Sequence, residues 1–144
     1  MNSCLVDVNV WLALSHKDHS HHEAAVEWFR NSAGRMYFCR STQIGLLRLL
    51  SNKRVMALSV KTLLQAWAIY DEVLSNPRVD FLDEPANVEA TFRELTRSEM
   101  VSHNTWSDSY LGAFALALDL SIVSFDTVFR DMTGVDAVVL TPRR

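Results

Sequence analysis

Leu5-Val6-Asp7-Val8-Asn9-Val10 sets a carboxylate and an amide into an otherwise apolar run. Residues 5–8 read as a buried strand, and in a strand Asp7 and Asn9, two apart, point to the same side. A buried, unpaired carboxylate costs on the order of several kcal/mol. Its compensation must come from elsewhere in the chain: an arginine, a set of backbone N–H donors, or a metal ion.

Working outward, strands alternate with helices. A short helical stretch follows over 11–15. Residues 17–20 are a polar break in which Ser20 suits a helix cap, and 22–31 read as a helix with Ala25, Trp28 and Phe29 on one face. A strand is expected at 36–39 and a helix over 42–50. The strongest 3.6-residue periodicity lies over 60–74, where Val60, Leu63, Leu64, Trp67 and Leu74 fall on one stripe. Ser75-Asn76-Pro77 stops that helix. Further strands are expected at 79–82, 121–125 and 137–140, with helices from Asp83-Glu84-Pro85 to about residue 97 and over 107–120. This alternation specifies an α/β fold, a three-layer α/β/α sandwich with a mainly parallel central sheet. The active crevice of such a sheet lies beyond the carboxyl ends of its strands.

The 144 residues fit one domain, 1–144, and a domain of this size buries roughly 68–70% of its unfolded surface. Four tryptophans and seven phenylalanines supply a core. Cys4 and Cys39 are too few for a disulfide scaffold, which suits a reducing cytosol. No apolar run reaches the ~18 residues of a spanning helix, and nothing at the start resembles a signal peptide. The net charge is −3, but it is unevenly spread. Residues 30–61 carry Arg30, Arg35, Arg40, Arg48, Lys53, Arg54 and Lys61 and no acid, whereas acids dominate 71–108. Local fields of opposite sign follow.

Three acids occupy informative places. Asp7 lies near the end of the first strand, Asp126 at the end of the strand 121–125, and Asp108 in the first turn of a helix, where the dipole favours its ionised form. Read singly, Asp108 and Asp126 also suit cap or turn roles. In a parallel sheet all three can converge at one end, where mutual repulsion raises their pKa values. A hard divalent cation such as Mg²⁺ or Mn²⁺ relieves that repulsion, and the arrangement suits phosphodiester hydrolysis. The basic stretch offers Arg40 and Arg48 as candidate phosphate contacts, or as a solvated face.

At this point the residues resemble a family. Leu5-Val6-Asp7-Val8-Asn9-Val10-Trp11 looks like the opening of PIN-domain ribonucleases. The segments 19–29, 106–115 and 122–129 resemble, in order, later segments of VapC toxins. The resemblance implies a PIN-like sandwich, a Mg²⁺- or Mn²⁺-dependent endoribonuclease, and the toxin half of a toxin–antitoxin pair, held inactive by a cognate antitoxin and usually dimeric. It implies Asp7, Asp108 and Asp126 as metal ligands, with Asn9 and Ser124 orienting them. It also exposes a departure: the family usually carries a Glu in the helix after the second strand, and here Gly45 stands there. Asp131 bending back, or a neutral oxygen of Thr42 or Gln43, are the available substitutes.

His16, His19, His21 and His22 lack the cysteine and second ligand pair of a structural zinc site and read as a polar loop and helix start. Trp28, Phe29 and Trp67 are expected in the core, Trp11 at a partner surface, and an antitoxin groove beside the helices that flank the histidines. Two other functions compete. One is a catalytically weak or inactive PIN-domain protein that binds RNA or antitoxin. The other is an Asp-nucleophile phosphatase, which wants an acid at position 9 and a late lysine; this chain has Asn9 and no lysine after Lys61.

Overall fold

The computed structural model describes residues 3–142. Five short strands, β1 (Cys4–Val6), β2 (Met36–Phe38), β3 (Val79–Phe81), β4 (Ser121–Ser124) and β5 (Ala137–Val139), form one sheet in the order β3-β2-β1-β4-β5. Every pairing is parallel. The helices are α1 (Val8–Ser15), α2 (His22–Asn31), α3 (Arg40–Leu50), α4 (Lys53–Met56), α5 (Leu63–Leu74), α6 (Val88–Leu95) and α7 (Thr105–Ala117), with 3-10 turns at Ala57–Ser59 and Thr127–Asp131.

Alternation along β1 divides the core in two. Cys4 and Val6 face a cluster with Val10 and Trp11 of α1, Leu46 of α3 and Ala66 and Tyr70 of α5. Leu5 faces the other way, against Val88 of α6 and Leu111 and Phe114 of α7. Helices therefore cover both faces of a sheet whose central strand β1 is apolar throughout, and the expected three-layer α/β/α sandwich is what forms.

Several boundaries differ from the sequence reading. β1 stops at Val6, and Asp7 (φ −69°, ψ 156°) is the N-cap of α1, not a strand residue. The strand-like alternation of Val8 and Val10 is overridden because the carboxylate satisfies an orphan N–H of the following helix. Residue 20 does not cap α2; His21 does, and its N–H donates to Nδ1 of His19. The helix expected over 60–74 starts only at Leu63, behind a capping box of Thr62 and Gln65. Its apolar stripe is split: Leu63, Leu64 and Trp67 are exposed, Val60 and Leu74 pack against the core, and Ala66 and Tyr70 fill the buried side. Periodicity identified the helix but not its buried face. Trp11 is fully buried, stacked on Phe38 with ring centroids 4.0 Å apart, rather than at a surface.

Candidate metal centre at the carboxyl edge of the sheet

All five strands run the same way, so the residues that follow them gather along one edge. Asp7 follows β1 and Asp126 follows β4, its pairing neighbour. Asp108 enters from the first turn of α7.

Ser124, the last residue of β4, joins the first two. Its hydroxyl donates to Asp7 Oδ2 at 2.7 Å, and the backbone N–H of Asp126 donates to Ser124 Oγ at 2.9 Å. Asn9 Nδ2 donates to the same oxygen at 3.2 Å. A serine hydroxyl has one proton and two lone pairs, so Ser124 is saturated. The Asn9 carbonyl oxygen accepts from the Phe125 N–H at 3.3 Å. Asp7 Oδ1 accepts from the Val8 N–H at 2.7 Å and Asp126 Oδ1 from the Val128 N–H at 3.0 Å, so both acids also cap the turns they begin. Asn9 thus reaches β4 from a helix, not from the strand face first expected.

The carboxylates lack positive partners. Among the described residues the ion pairs are Arg35–Asp80, Arg93–Glu89 and Arg97–Glu94, all on the surface. Asp108 receives no hydrogen bond among the described residues. Burial, then the charges of Asp7 and Asp126, push its carboxyl up to about 6. Burial also raises Asp7, partly offset by the Ser124 and Val8 hydrogen bonds, with Asp126 adding repulsion. Three mutually repelling oxygen donors without a cation are the donor set that a hard divalent ion takes. Yet as they stand, no three His, Cys, Asp or Glu side chains among the described residues are close enough to hold one. The site fits such an ion by chemistry and charge but is not drawn closed around it.

The position expected for a fourth acid is filled by packing. A Cβ on Gly45 would lie 2.5 Å from Cγ2 of Val8, the residue after Asp7. Helix α3 approaches α1 so closely that only glycine fits. Asp131, exposed at the end of the 3-10 turn, is not among the charges felt by Asp7 or Asp108. Arg40 opens α3 at the carboxyl edge, whereas Arg48 lies eight residues on, ~12 Å along the axis, beside an apolar groove of about 540 Å³ with Ile44, Leu63 and Trp67.

Sequence reading missed three contacts of the edge. The His21 ring packs on Phe125, between Ser124 and Asp126, at 4.8 Å. Tyr110 donates to Glu84 Oε1 at 2.6 Å, pinning the loop after β3 to α7. Gln43, weighed only as an oxygen donor, is buried and accepts from Arg40 Nη1 at 2.6 Å. These partners are 104, 26 and 3 residues apart, and only the last spacing is visible as a helical neighbour. The histidines serve locally: His22 Nδ1 donates to the Ala13 carbonyl at 2.7 Å.

A parallel α/β/α sandwich with acids gathered at the carboxyl edge is the architecture of a PIN domain, and the PIN-domain family model matches residues 4–135. The chain belongs to the PIN-domain family. Within it, the chain is 37% identical over 142 residues to Ribonuclease VapC41 of Mycobacterium tuberculosis, covering 94% of this chain and 97% of that one. It is 32% identical over 128 residues to Ribonuclease VapC44 of the same organism, covering 85% and 84%. Among solved structures it is similar to VapBC2 from Rickettsia felis bound to a DNA fragment from their promoter, with a TM-score of 0.69 and 15% identity over 96% of this chain and 99% of that one. It is also similar to VapC20 of Mycobacterium tuberculosis, a sarcin-ricin loop cleaving toxin, with a TM-score of 0.65 and 18% identity over 92% and 98%.

Proposed function

We propose that this chain is a divalent-metal-dependent endoribonuclease and the toxin of a toxin–antitoxin pair, with Asp7, Asp108 and Asp126 holding Mg²⁺ or Mn²⁺. The observation that carries the reading is the uncompensated carboxylate cluster at the carboxyl edge of a PIN domain. When bound there, the ion supplies charge neutralisation, a polarised phosphoryl oxygen and a more acidic water. The chain's own groups do the positioning. Ser124 holds Asp7 and the Asp126 backbone in one register, Asn9 braces Ser124, and the caps at Val8 and Val128 fix both carboxyl planes. The raised Asp108 makes ion binding compete with protons near pH 6.

An antitoxin partner is supported by the kinship with VapC ribonucleases and by the VapBC folds. The apolar side chains of Leu58, Leu63, Leu64 and Trp67, exposed around α5, suit a protein partner, whether antitoxin or a second copy in a homodimer. Among the described residues no helix is long and apolar enough to cross a membrane; a cytoplasmic location is part of the proposed toxin reading.

A second reading has two observations in its favour, Gly45 in place of an acid and three carboxylates not drawn together; on that reading the chain acts by binding RNA or antitoxin with little or no turnover. One experiment separates the two: purified, antitoxin-free chain with total RNA, Mn²⁺ or chelator, and Asp126→Asn alongside. Discrete metal-dependent cuts that the variant does not make support the nuclease. RNA binding without cuts supports the second reading.

A further inference from the structure

Arg40 is an exposed arginine held in place without a carboxylate. Arg35, Arg93 and Arg97 each pair with a carboxylate, and Arg78 spends its guanidinium on the Phe29 and Ser32 carbonyls. Arg40 has no acidic partner among the described residues, yet it is held on two sides. Its guanidinium lies over the Phe81 ring, 4.7 Å from the centroid. Its Nη1 donates at 2.6 Å to Oε1 of Gln43. Gln43 is itself 6% exposed, so the brace is anchored on a buried side chain. An exposed arginine serving only solubility keeps its rotamer freedom; burying an amide to immobilise one has a cost that needs a return.

The placement supplies it. β1 and β2 are parallel neighbours, so Asp7, which follows β1 as the N-cap of α1, and Arg40, which opens α3 after β2, both lie at the carboxyl edge of adjacent strands. Phe81 ends β3, one strand further out on the same edge. Arg40 also begins an eleven-residue helix, whose N-terminal N–H groups favour anions. One of its five N–H groups is used by Gln43; those left over match the fork geometry of a phosphate. An edge lined by three carboxylates repels a polyanion, and a rigid cation further along that edge, outside the charges felt by Asp7 and Asp108, gives the RNA backbone a contact away from them.

We propose that Arg40, braced by Gln43 and Phe81, is a preorganised anchor for an RNA backbone phosphate flanking the one cleaved. The proposal rests on the nuclease reading above. Gln43 then fills part of the gap left by the missing helix acid, not as a metal ligand but as the positioning residue of a cation.

The test is binding of a fluorescently labelled oligouridylate in chelator, titrated with salt, by the full chain and its R40Q, R40K and R48Q variants, with thermal melts to establish folding. R40Q is expected to weaken binding about tenfold and to flatten the salt dependence by about 0.7 in the log–log slope, the contribution of one phosphate contact to a single strand. R40K retains the slope but loses affinity, because an ammonium lacks the planar fork and stack. R48Q, which removes the same charge from the far end of α3, lowers affinity and slope less than R40Q does. With Mn²⁺, R40Q raises KM more than it lowers kcat. Equal effects of R40Q and R48Q overturn the anchor in favour of a diffuse field, as does an R40Q that binds and cuts like the parent chain. A parent chain that neither binds nor cuts RNA instead overturns the nuclease reading on which the anchor depends.

Discussion

Ser124 and Asp7 are 117 residues apart in the chain, yet the Ser124 hydroxyl donates its only proton to Asp7 Oδ2 at 2.7 Å. That bond ties the end of β4 to the start of α1 and brings Asp126 into the same register through its backbone N–H. Two of the three acids of the candidate centre, Asp7 and Asp126, are therefore coupled through one neutral side chain.

Replacing Ser124 with alanine leaves Asp7 Oδ2, the Asn9 amide and the Asp126 N–H without their common partner. The expected destabilisation is about 1–3 kcal/mol, read from denaturant midpoints. The Ser124 bond holds the Asp7 carboxyl down against burial, so its loss raises Asp7 further. Mn²⁺ affinity by calorimetry should then fall more at pH 6 than at pH 8; an equal drop at both would show that the hydroxyl does not tune the acid.

The Asp108 carboxyl, raised to about 6, fixes the sign of a pH effect. In the metal-free protein the folded state binds this proton more tightly than the unfolded chain does. The associated stability is complete below the ordinary carboxylate range and is lost as pH rises through 6. Asp108→Asn should therefore stabilise the metal-free protein at pH 7.5, by about 1 kcal/mol after allowing for solvent screening at a half-exposed group. The gain should shrink to nothing by about pH 4. With saturating Mn²⁺ the order reverses, because the variant has lost a ligand.

Gly45 is expected not to accept the acid common elsewhere in the family. Even Gly45→Ala places a Cβ 2.5 Å from a stiff, β-branched Val8 and should cost about 1–3 kcal/mol. Gly45→Glu should destabilise more and displace Val8, and with it the Asp7 cap, so that cleavage falls. A rise in activity would mean that α3 can move back at little cost.

Leu46 and Leu64 are both helical leucines, the first fully buried and the second 82% exposed. Leu46→Ala should lower stability by about 2–5 kcal/mol. Leu64→Ser should change it by less than about 0.5 kcal/mol but weaken partner binding, measured by titration with the co-purified antitoxin.

Much of this was legible in the linear sequence. The apolar runs around Leu5 and Ile122 and the helical periods between them specify a parallel α/β sandwich, because period and turn chemistry are local properties. Asp7, Asp108 and Asp126 stood out for a similar reason: an acid beside an apolar run is conspicuous wherever the chain later goes. What the sequence by itself could not determine depends on which faces meet. Local pattern cannot say that Leu63, Leu64 and Trp67 turn away from the core while Ala66 and Tyr70 enter it, since either face of α5 carries enough apolar surface. Nor can it say that Asp7 ends a strand by capping a helix, that Ser124 serves two acids at once, or that Gly45 is demanded by Val8. Those are distances between segments far apart in the chain. They are decided only when the helices close on the sheet, because close packing leaves one arrangement in which the buried volume is filled and most buried polar groups find partners.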